Sequence, residues 1–361
     1  MKNHSWPHTI RIIIFSCLIG GAAGVLGTAL TTSYLSQYAL SLGEVTQNLG
    51  LSQARPRTLP QSYLDALEKL EDQSLPAVGS LFTRANIPPS GVSVSESSAT
   101  VVGLTSDGWS LSTEGRVGDL MHFGGQTCEV DEVREEPMLG LKFLHCAISN
   151  ASVVDIAGGY GIQTGDQLFI VAHDTDVLFT QARSVVWGEA VRGSDEPSRR
   201  IVLTDDTWVN SGAAVFNVYG ELVGIVETEA EEGGLHVIPF EHLSGAFRQV
   251  LESTQTITYP ALGVRGIDLS RAVGVSEELS DGAHAGFVLY GSRAVASGSA
   301  AQKVGLVTGD VLLSVEGVTI NTTYALDDLI ANYAVGDEIR IEFEREGARQ
   351  EVTVTLGERP F

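Results

Sequence analysis

The sequence predicts a mainly β protein with a smaller α+β unit at its C-terminal end, preceded by one transmembrane helix. An uncharged, apolar stretch lies near the N-terminus, and short β-branched runs separated by turn residues fill the middle. A second set of strands lies within residues 259–361, near residues 286–290, 311–315, 338–345 and 351–356, and is interrupted by one helix around residues 324–333. The 361 residues include 40 glycines and 11 prolines, which is typical of the many tight turns in β-rich folds.

The composition excludes several classes of protein. Lys and Arg number 22 and Asp and Glu number 45, so the net charge of −23 repels phosphate backbones and we expect no nucleic-acid partner. The hydrophobic share of 43% against 19% charged residues excludes a disordered chain. Three cysteines without CxxC spacing exclude zinc ribbons and iron–sulfur proteins. No phosphate loop or nucleotide fingerprint is present, so we expect no cofactor and no metal.

Residues 1–35 are predicted to be a cytoplasmic tail and a transmembrane anchor. Residues 12–30 are almost wholly apolar or small, close to the roughly 20 residues that a helix needs to cross a bilayer. Lys2 and Arg11 precede this stretch, so the positive-inside tendency places the C-terminal bulk outside the cytoplasm, in the periplasm or the extracellular space. A cleaved signal peptide and a buried core helix are the alternative interpretations.

Residues 36–75 are predicted to form a stalk and a short helix. Residues 58–61 have the spacing of a helix capping box, and Leu64, Leu67 and Leu70 then lie three apart on one helical face. The helix is expected to pack on the exported body or on a neighbouring subunit, or to be a solvated spacer.

Residues 76–252 are predicted to be an all-β barrel or sandwich. The β-branched runs recur about every ten residues, which is unlike the spacing of a βαβ sheet. A brief helical pattern closes this region at residues 240–251. The predicted strands include Ala99–Leu104, Gln167–Ala172, Arg200–Leu203, Ala213–Asn217 and Leu222–Val226.

Residues 259–361 carry the most specific motifs of the chain. Ser299–Leu306, Thr308–Val315 and Gly317 follow one another closely, and the pattern continues through residues 336–337 and 352–360. This unit resembles a bacterial PDZ domain. The resemblance implies that a peptide strand adds to a sheet edge and that its C-terminal carboxylate sits among backbone N–H groups.

The resemblance assigns the carboxylate-binding loop to residues 261–264. Gly263 lets the backbone approach the anion, and Leu262 and Val264 wall the side-chain pocket. The helix at residues 326–330 supplies the other wall. In the alternative interpretation, this unit only packs against its neighbour. The predicted peptide-binding residues are therefore Ala261, Leu262, Gly263, Val264, Leu326 and Ile330.

A single anchor, a trypsin-like region and one PDZ domain together resemble the HtrA (Deg) family of envelope serine proteases. The resemblance covers residues 76–361 and implies a trypsin-like double β-barrel before the PDZ domain. It also implies a homotrimer as one assembly, although the residues leave the oligomeric state open. In such enzymes a serine attacks the carbonyl, a histidine takes its proton, an aspartate orients the histidine and backbone N–H groups stabilise the oxyanion.

The catalytic positions of this resemblance are mostly substituted. After the Ser106-Asp-Gly108 turn, Gly115 occupies the histidine position, and Pro137 occupies the aspartate position. Ser211 remains at the nucleophile position, but Val209 replaces a glycine that shapes the oxyanion turn. Without a base, a serine hydroxyl is a weak nucleophile.

No other histidine is expected to substitute. His145 lies eight residues from Pro137, about 26 Å along an extended strand. The sequence therefore predicts a pseudoprotease that binds peptide C-termini and acts as a scaffold or regulator. An active endopeptidase with an unrecognised base, and a structural envelope protein with a blocked groove, are the alternatives.

Cys128 and Cys146 flank Pro137 almost symmetrically. If residues 126–133 and 138–147 form an antiparallel hairpin, the two cysteines face each other across the strands. A disulfide and two reduced core cysteines both remain open.

Overall fold

The computed structural model describes residues 62–157, 161–172, 176–204, 212–227, 234–252, 254, 256–280 and 282–359. Among these residues, no helix combines the length and the apolar character that a membrane span requires. The predicted anchor at residues 1–35 lies outside the described residues.

The first β unit is a seven-stranded antiparallel sheet with the order β5-β4-β1-β2-β3-β7-β6. Its core is apolar, with Val101, Met121 and Leu144 fully buried. The strands are β1 (Val78–Phe82), β2 (Ala99–Gly103), β3 (Trp109–Ser112), β4 (Leu120–Phe123), β5 (Gln126–Glu129), β6 (Glu132–Glu135) and β7 (Lys142–His145).

Cys128 and Cys146 are joined by a disulfide in this unit, with their Cα atoms 6.0 Å apart. The predicted hairpin between residues 126–133 and 138–147 is only partly correct. β6 pairs with β7, whereas β5, which carries Cys128, pairs with β4. The disulfide therefore links β5, at one edge of the sheet order, to the end of β7 near the other edge.

The second β unit is a closed barrel with the order β11-β14-β13-β12-β8-β9. The predicted runs at residues 167–172, 200–203, 213–217 and 222–226 all form strands of this barrel. The strands are β8 (Gln167–Val171), β9 (Val177–Trp187), β11 (Arg199–Leu203), β12 (Ala214–Asn217), β13 (Leu222–Val226) and β14 (His236–Pro239). β10 (Val191–Gly193) lies between β9 and β11 in sequence but belongs to the C-terminal sheet.

One helix precedes the two β units and another follows them. α1 (Tyr63–Gln73) begins after Ser62, whose hydroxyl accepts a hydrogen bond from the Asp65 N–H at 3.2 Å. The helix does not begin at the predicted capping box, which lies outside the described residues. α2 (Glu241–Leu251) follows β14 and buries its apolar face in the core shared by the two units.

α1 packs on the second barrel rather than standing free in solvent. Leu70 is completely buried, and the Tyr63 ring lies 5.8 Å from the Phe169 ring. After the helix, the Ser74 hydroxyl donates to the Gly220 carbonyl at 2.5 Å. The predicted leucine stripe is only partly correct, because Leu64 is 70% exposed.

The C-terminal unit is a sheet with the order β10-β16-β17-β18-β20-β21, in which β19 also pairs with β18. In β20, Ile339, Ile341 and Phe343 alternate with exposed polar residues, as expected of a strand with one buried face. The strands are β16 (Arg265–Asp268), β17 (Phe287–Leu289), β18 (Val311–Val315), β19 (Val318–Thr319), β20 (Glu338–Arg345) and β21 (Ala348–Thr355).

Short elements complete this unit. β15 (Pro260–Ala261) pairs with β22 (Gly357–Glu358) at its base. The helices are α3 (Glu277–Ser280), α4 (Ala300–Lys303) and α5 (Leu326–Ile330). The predicted helix at residues 324–333 is present as the shorter α5.

Candidate peptide-binding groove and protease-like site

The predicted carboxylate-binding loop lies between β15 and β16. Gly263 has a φ of +77°, and a Cβ added there would lie 2.4 Å from the Cβ of Ser299. Both the backbone conformation and the lack of space therefore require glycine. The side chains of Leu262 and Val264 are buried in the core of the C-terminal unit, and Ala261 lies in β15.

A carboxylate of the same chain occupies this loop. The Leu262 N–H donates to Oδ1 of Asp195 at 2.9 Å. The Gly263 N–H donates to Oδ1 at 3.2 Å and to Oδ2 at 3.0 Å. The Ser194 hydroxyl adds a further hydrogen bond to Oδ1 at 2.6 Å. The loop thus binds a carboxylate through its backbone N–H groups.

The segment before Asp195 continues as a strand along β16. β10 pairs antiparallel with β16, with Val191 opposite Ile267 and Gly193 opposite Arg265. The ladder extends to Ser194, whose N–H donates to the Val264 carbonyl at 2.9 Å and whose hydroxyl accepts from the Val264 N–H at 3.2 Å. β10 therefore occupies the edge of β16 that β17 leaves free.

The helix α5 lies beside the same segment, since Ile330 lines a small cavity together with Ser194 and Asp195. Leu326 and Ile330 are buried in the core of the C-terminal unit. Asp327 accepts hydrogen bonds from the Ser198 N–H at 3.0 Å and from the Ser198 hydroxyl at 2.6 Å. A cavity of about 10 Å³ remains beside Asp195, the room of roughly one water molecule. The groove is therefore filled by residues 191–198.

The buried side chain of Arg192 anchors this segment to the C-terminal unit. The Arg192 guanidinium donates to the Asp268 carboxylate at 2.8 Å and to the Trp187 carbonyl at 3.1 Å. It also lies 3.8 Å from the Asp327 carboxylate. Arg271, which also pairs with Asp268, stacks over the Trp187 ring at 4.0 Å. Burial raises the pKa of Asp327, and the charge of the adjacent Asp328 raises it further.

Gly115, at the predicted histidine position, has no room for a side chain. Its φ is +129°, and an added Cβ would lie 2.7 Å from Cδ1 and 2.8 Å from Cδ2 of Leu144. Leu144 is completely buried in the core of the first unit. A side chain at this position would be strained by the backbone conformation and would have to displace the methyl groups of Leu144.

Pro137, at the predicted aspartate position, is exposed, and its neighbour Glu136 is turned into the protein. The Glu136 carboxylate accepts the Met138 and Leu139 N–H groups at 2.9 and 2.6 Å, and also the Tyr259 hydroxyl. Burial raises the pKa of Tyr259, and the Glu136 charge raises it further, so the hydroxyl remains a donor. The Glu136 carboxylate is therefore engaged by two backbone N–H groups and a tyrosine hydroxyl.

Ser211 lies outside the described residues, whereas the next residue, Gly212, is described. A Cβ on Gly212 would lie 3.0 Å from two side-chain atoms of Thr113. The Lys142 ammonium donates to the nearby Gly115 carbonyl at 3.3 Å and lies 3.7 Å from the Glu135 carboxylate. Lys142 therefore lies beside the predicted histidine position, held between a backbone carbonyl and an acidic side chain.

The histidines of the first unit have structural partners. His145 bonds the Asp131 carboxylate at 2.6 Å, and His122 bonds the Thr127 hydroxyl at 2.7 Å. His145 pairs with Trp109 at the end of β3 remote from Ser112, the strand end nearest Gly115. His173 lies outside the described residues.

The segment that occupies the groove carries no sequence pattern that predicts its place. Asp195, Ser194 and Arg192 carry no motif, and their partners are between 67 and 76 residues away. The nearest signal is a Gly-Ser-Asp turn composition at residues 193–195, which by itself predicts only a loop.

Comparisons with known proteins agree with this architecture. A family model described as a PDZ domain matches residues 260–356. A probable periplasmic serine protease do/HhoA-like of Haemophilus influenzae is 31% identical over 222 residues, 58% of this chain and 45% of its own length. The serine protease Do-like HtrA of Lactococcus lactis is 29% identical over 159 residues, 41% of this chain and 38% of its own.

Solved structures show the same fold. The HtrA-type protease AlgW with tripeptide aligns over 81% of this chain and 97% of its own, at a TM-score of 0.57 and 22% identity. The same protease with decapeptide gives a TM-score of 0.54 at 19% identity. The chain thus has a trypsin-like protease fold followed by a PDZ domain. It spans less than half the length of the two curated relatives named above.

Proposed function

We propose that this protein captures the C-terminal carboxylates of proteins or peptides in the groove between β16 and α5. We further propose that its protease-like barrels act as a scaffold or regulator without cutting peptide bonds. One observation carries the first part: the N–H groups of Leu262 and Gly263 converge on a carboxylate. A free C-terminus offers the same anion at the end of a strand.

The loss of catalysis is supported by the positions that would hold the base. Gly115 leaves no room for an imidazole, and Glu136 is bonded to backbone N–H groups and to Tyr259. In subtilisin, removing the nucleophile or the base costs about 10⁶-fold in turnover. A serine hydroxyl that no group deprotonates is therefore not expected to cleave amides at a useful rate.

Peptide capture is tested by titrating the full chain with fluorescent peptides that end in a free carboxylate. The same peptides with an amidated C-terminus serve as the matched ligand control. Gly263→Val should abolish binding, because its Cβ forces the loop away from Ser299. Equal binding of amidated and free peptides, or full binding by the valine variant, would contradict the proposal.

An active serine endopeptidase is the second candidate function. The relatives described above are serine proteases by name, and the Lys142 amine lies 3.3 Å from the Gly115 carbonyl, beside the predicted catalytic region. A fluorophosphonate probe separates the two candidates. Labelling that is lost in Ser211→Ala and in Lys142→Met would favour the enzyme, whereas no labelling at Ser211 would favour the scaffold.

The location of the protein is part of the same proposal. Two relatives, from Haemophilus influenzae and Escherichia coli, are periplasmic by name, which supports a C-terminal bulk outside the cytoplasm. Attachment to the membrane through residues 1–35 and assembly into a homotrimer are the remaining parts. Membrane fractionation with protease accessibility, and the mass of the detergent-solubilised protein, test these two parts separately.

A further inference from the structure

The groove of the C-terminal unit already holds a strand of its own chain. A PDZ ligand adds antiparallel to the sheet edge next to the carboxylate loop. β10 takes that place along β16, with three residue pairs in register from Val191 to Gly193. Its direction also matches, because it runs toward the loop at residues 261–264.

The end of this strand imitates a chain terminus. Ser194 continues the ladder by donating its N–H to the Val264 carbonyl. The next residue, Asp195, places its side-chain carboxylate where the Leu262 and Gly263 N–H groups converge. An aspartate side chain after a strand thereby supplies the anion that a free C-terminus would supply.

We propose that residues 191–195 are an internal ligand that closes the groove, and that protein C-termini bind by displacing this segment. The inference rests on the proposed capture of C-terminal carboxylates, and it names the regulation of that same site. A segment held in cis competes at an effective concentration of millimolar order. The apparent Kd of an external peptide therefore rises by the inverse of the fraction of open molecules.

The Leu262 and Gly263 N–H groups form a nest around the Asp195 carboxylate, and further contacts outside this nest also hold the segment. Arg192 anchors it to Asp268, and Ser198 anchors its exit to Asp327 on α5. An incoming peptide must therefore replace the Asp195 nest contacts and the β10 ladder together.

The test compares the full-length wild type with Asp195→Ala and Asp195→Asn. Glu196→Gln is the matched control, because it removes the adjacent negative charge and the Glu196 carboxylate accepts from Arg359, at 3.0 Å, rather than from the loop at residues 261–264. Two quantities are measured at neutral pH. They are the hydrogen-exchange protection of the Leu262 and Gly263 amides without ligand, and the affinity for free-carboxylate peptides.

We expect both Asp195 variants to exchange these two amides faster than the wild type. We also expect them to bind the peptides about tenfold to a hundredfold more tightly, since the Leu262 and Gly263 N–H groups lose one oxygen acceptor in the asparagine variant and both acceptors in the alanine variant. Glu196→Gln should behave as the wild type. The asparagine variant keeps the side-chain volume, so it preserves the test if the alanine variant folds poorly.

Two outcomes separate failure of this inference from failure of the proposed function. If peptides bind the wild type and the Asp195 variants with equal affinity, or if the amides stay equally protected, the internal ligand is refuted while capture of C-termini stands. If exchange accelerates but no free-carboxylate peptide binds any variant, the proposed function is refuted, and displacement falls with it.

Discussion

Gly115→His is the most direct test of why catalysis is expected to be lost. The substitution restores the residue type of the predicted base at the position where the resemblance places it. At a φ of +129°, a non-glycine residue costs about 1–3 kcal/mol in backbone strain. The contacts of 2.7 and 2.8 Å with the buried Leu144 side chain add about 1–3 kcal/mol of overpacking.

Together these two costs predict that Gly115→His lowers the free energy of unfolding by about 2–6 kcal/mol. The histidine is also expected not to activate Ser211, because relief of the clash moves its side chain or the backbone away from the required position. Urea unfolding followed by tryptophan fluorescence measures the first effect. Fluorophosphonate labelling of the folded variant measures the second.

Glu114→His is the matched control, because Glu114 is the exposed neighbour of Gly115. Its free energy of unfolding should change by no more than about 0.5 kcal/mol. A Gly115→His protein as stable as the wild type would refute the steric argument. Labelling of Ser211 in that variant would show that only the missing imidazole prevents catalysis, and that the fold still accommodates one.

Two further predictions concern stability. Replacing Cys128 and Cys146 together by serine, or reducing the wild type, should lower the free energy of unfolding by about 3 kcal/mol. This is the magnitude expected when a disulfide closes a loop with a sequence separation of 18. A denaturation midpoint that does not respond to reductant would contradict this prediction. Leu70→Ala should lower the free energy of unfolding in urea by about 2–5 kcal/mol, because Leu70 is completely buried. Leu64→Ala on the same helix should lower it by less than about 0.5 kcal/mol, because Leu64 is 70% exposed. Similar losses for both variants would show that α1 does not pack as described.

Strands with a strong local pattern could be predicted from the sequence almost to the residue. Residues 222–226 and 338–345 form strands with the predicted bounds, because a buried apolar run and a regular alternation determine each strand by itself. The start of α1 could not be predicted in the same way. Ser62 and residues 58–61 both offer capping chemistry, and local sequence does not rank them.

The candidate site was predictable on one side of the groove only. The loop at residues 261–264 and the helix at residues 326–330 are contiguous motifs, and the structure places residues of both in one apolar core. The occupant, residues 191–195, is a three-residue strand followed by Ser-Asp, with no periodicity of its own. Its place is determined by pairing with β16, about 75 residues later in the chain, which only the tertiary structure brings together.

The last prediction concerns the protonation of Asp195 and the direction in which pH changes the closure of the groove. Burial raises the pKa of Asp195 in the closed groove, although the Ser194 hydroxyl and the Gly263 and Leu262 N–H groups oppose this shift. Arg359, which also pairs with Glu196, is the cation that opposes it. A raised pKa means that the closed state binds protons more readily than the open state.

Protonation of Asp195 should therefore stabilise the closed groove most at a pH below the ordinary pKa of an aspartate. This stabilisation should be lost as the pH rises through the raised pKa of Asp195 in the closed state. Protection of the Leu262 amide, corrected for the intrinsic exchange rate, should accordingly fall between acidic and neutral pH. Asp195→Asn cannot titrate and should remove this dependence, whereas Glu196→Gln should keep it. Protection that instead rises with pH would show that the nest stabilises the ionised carboxylate more than burial destabilises it. The segment would then close the groove most firmly at neutral pH.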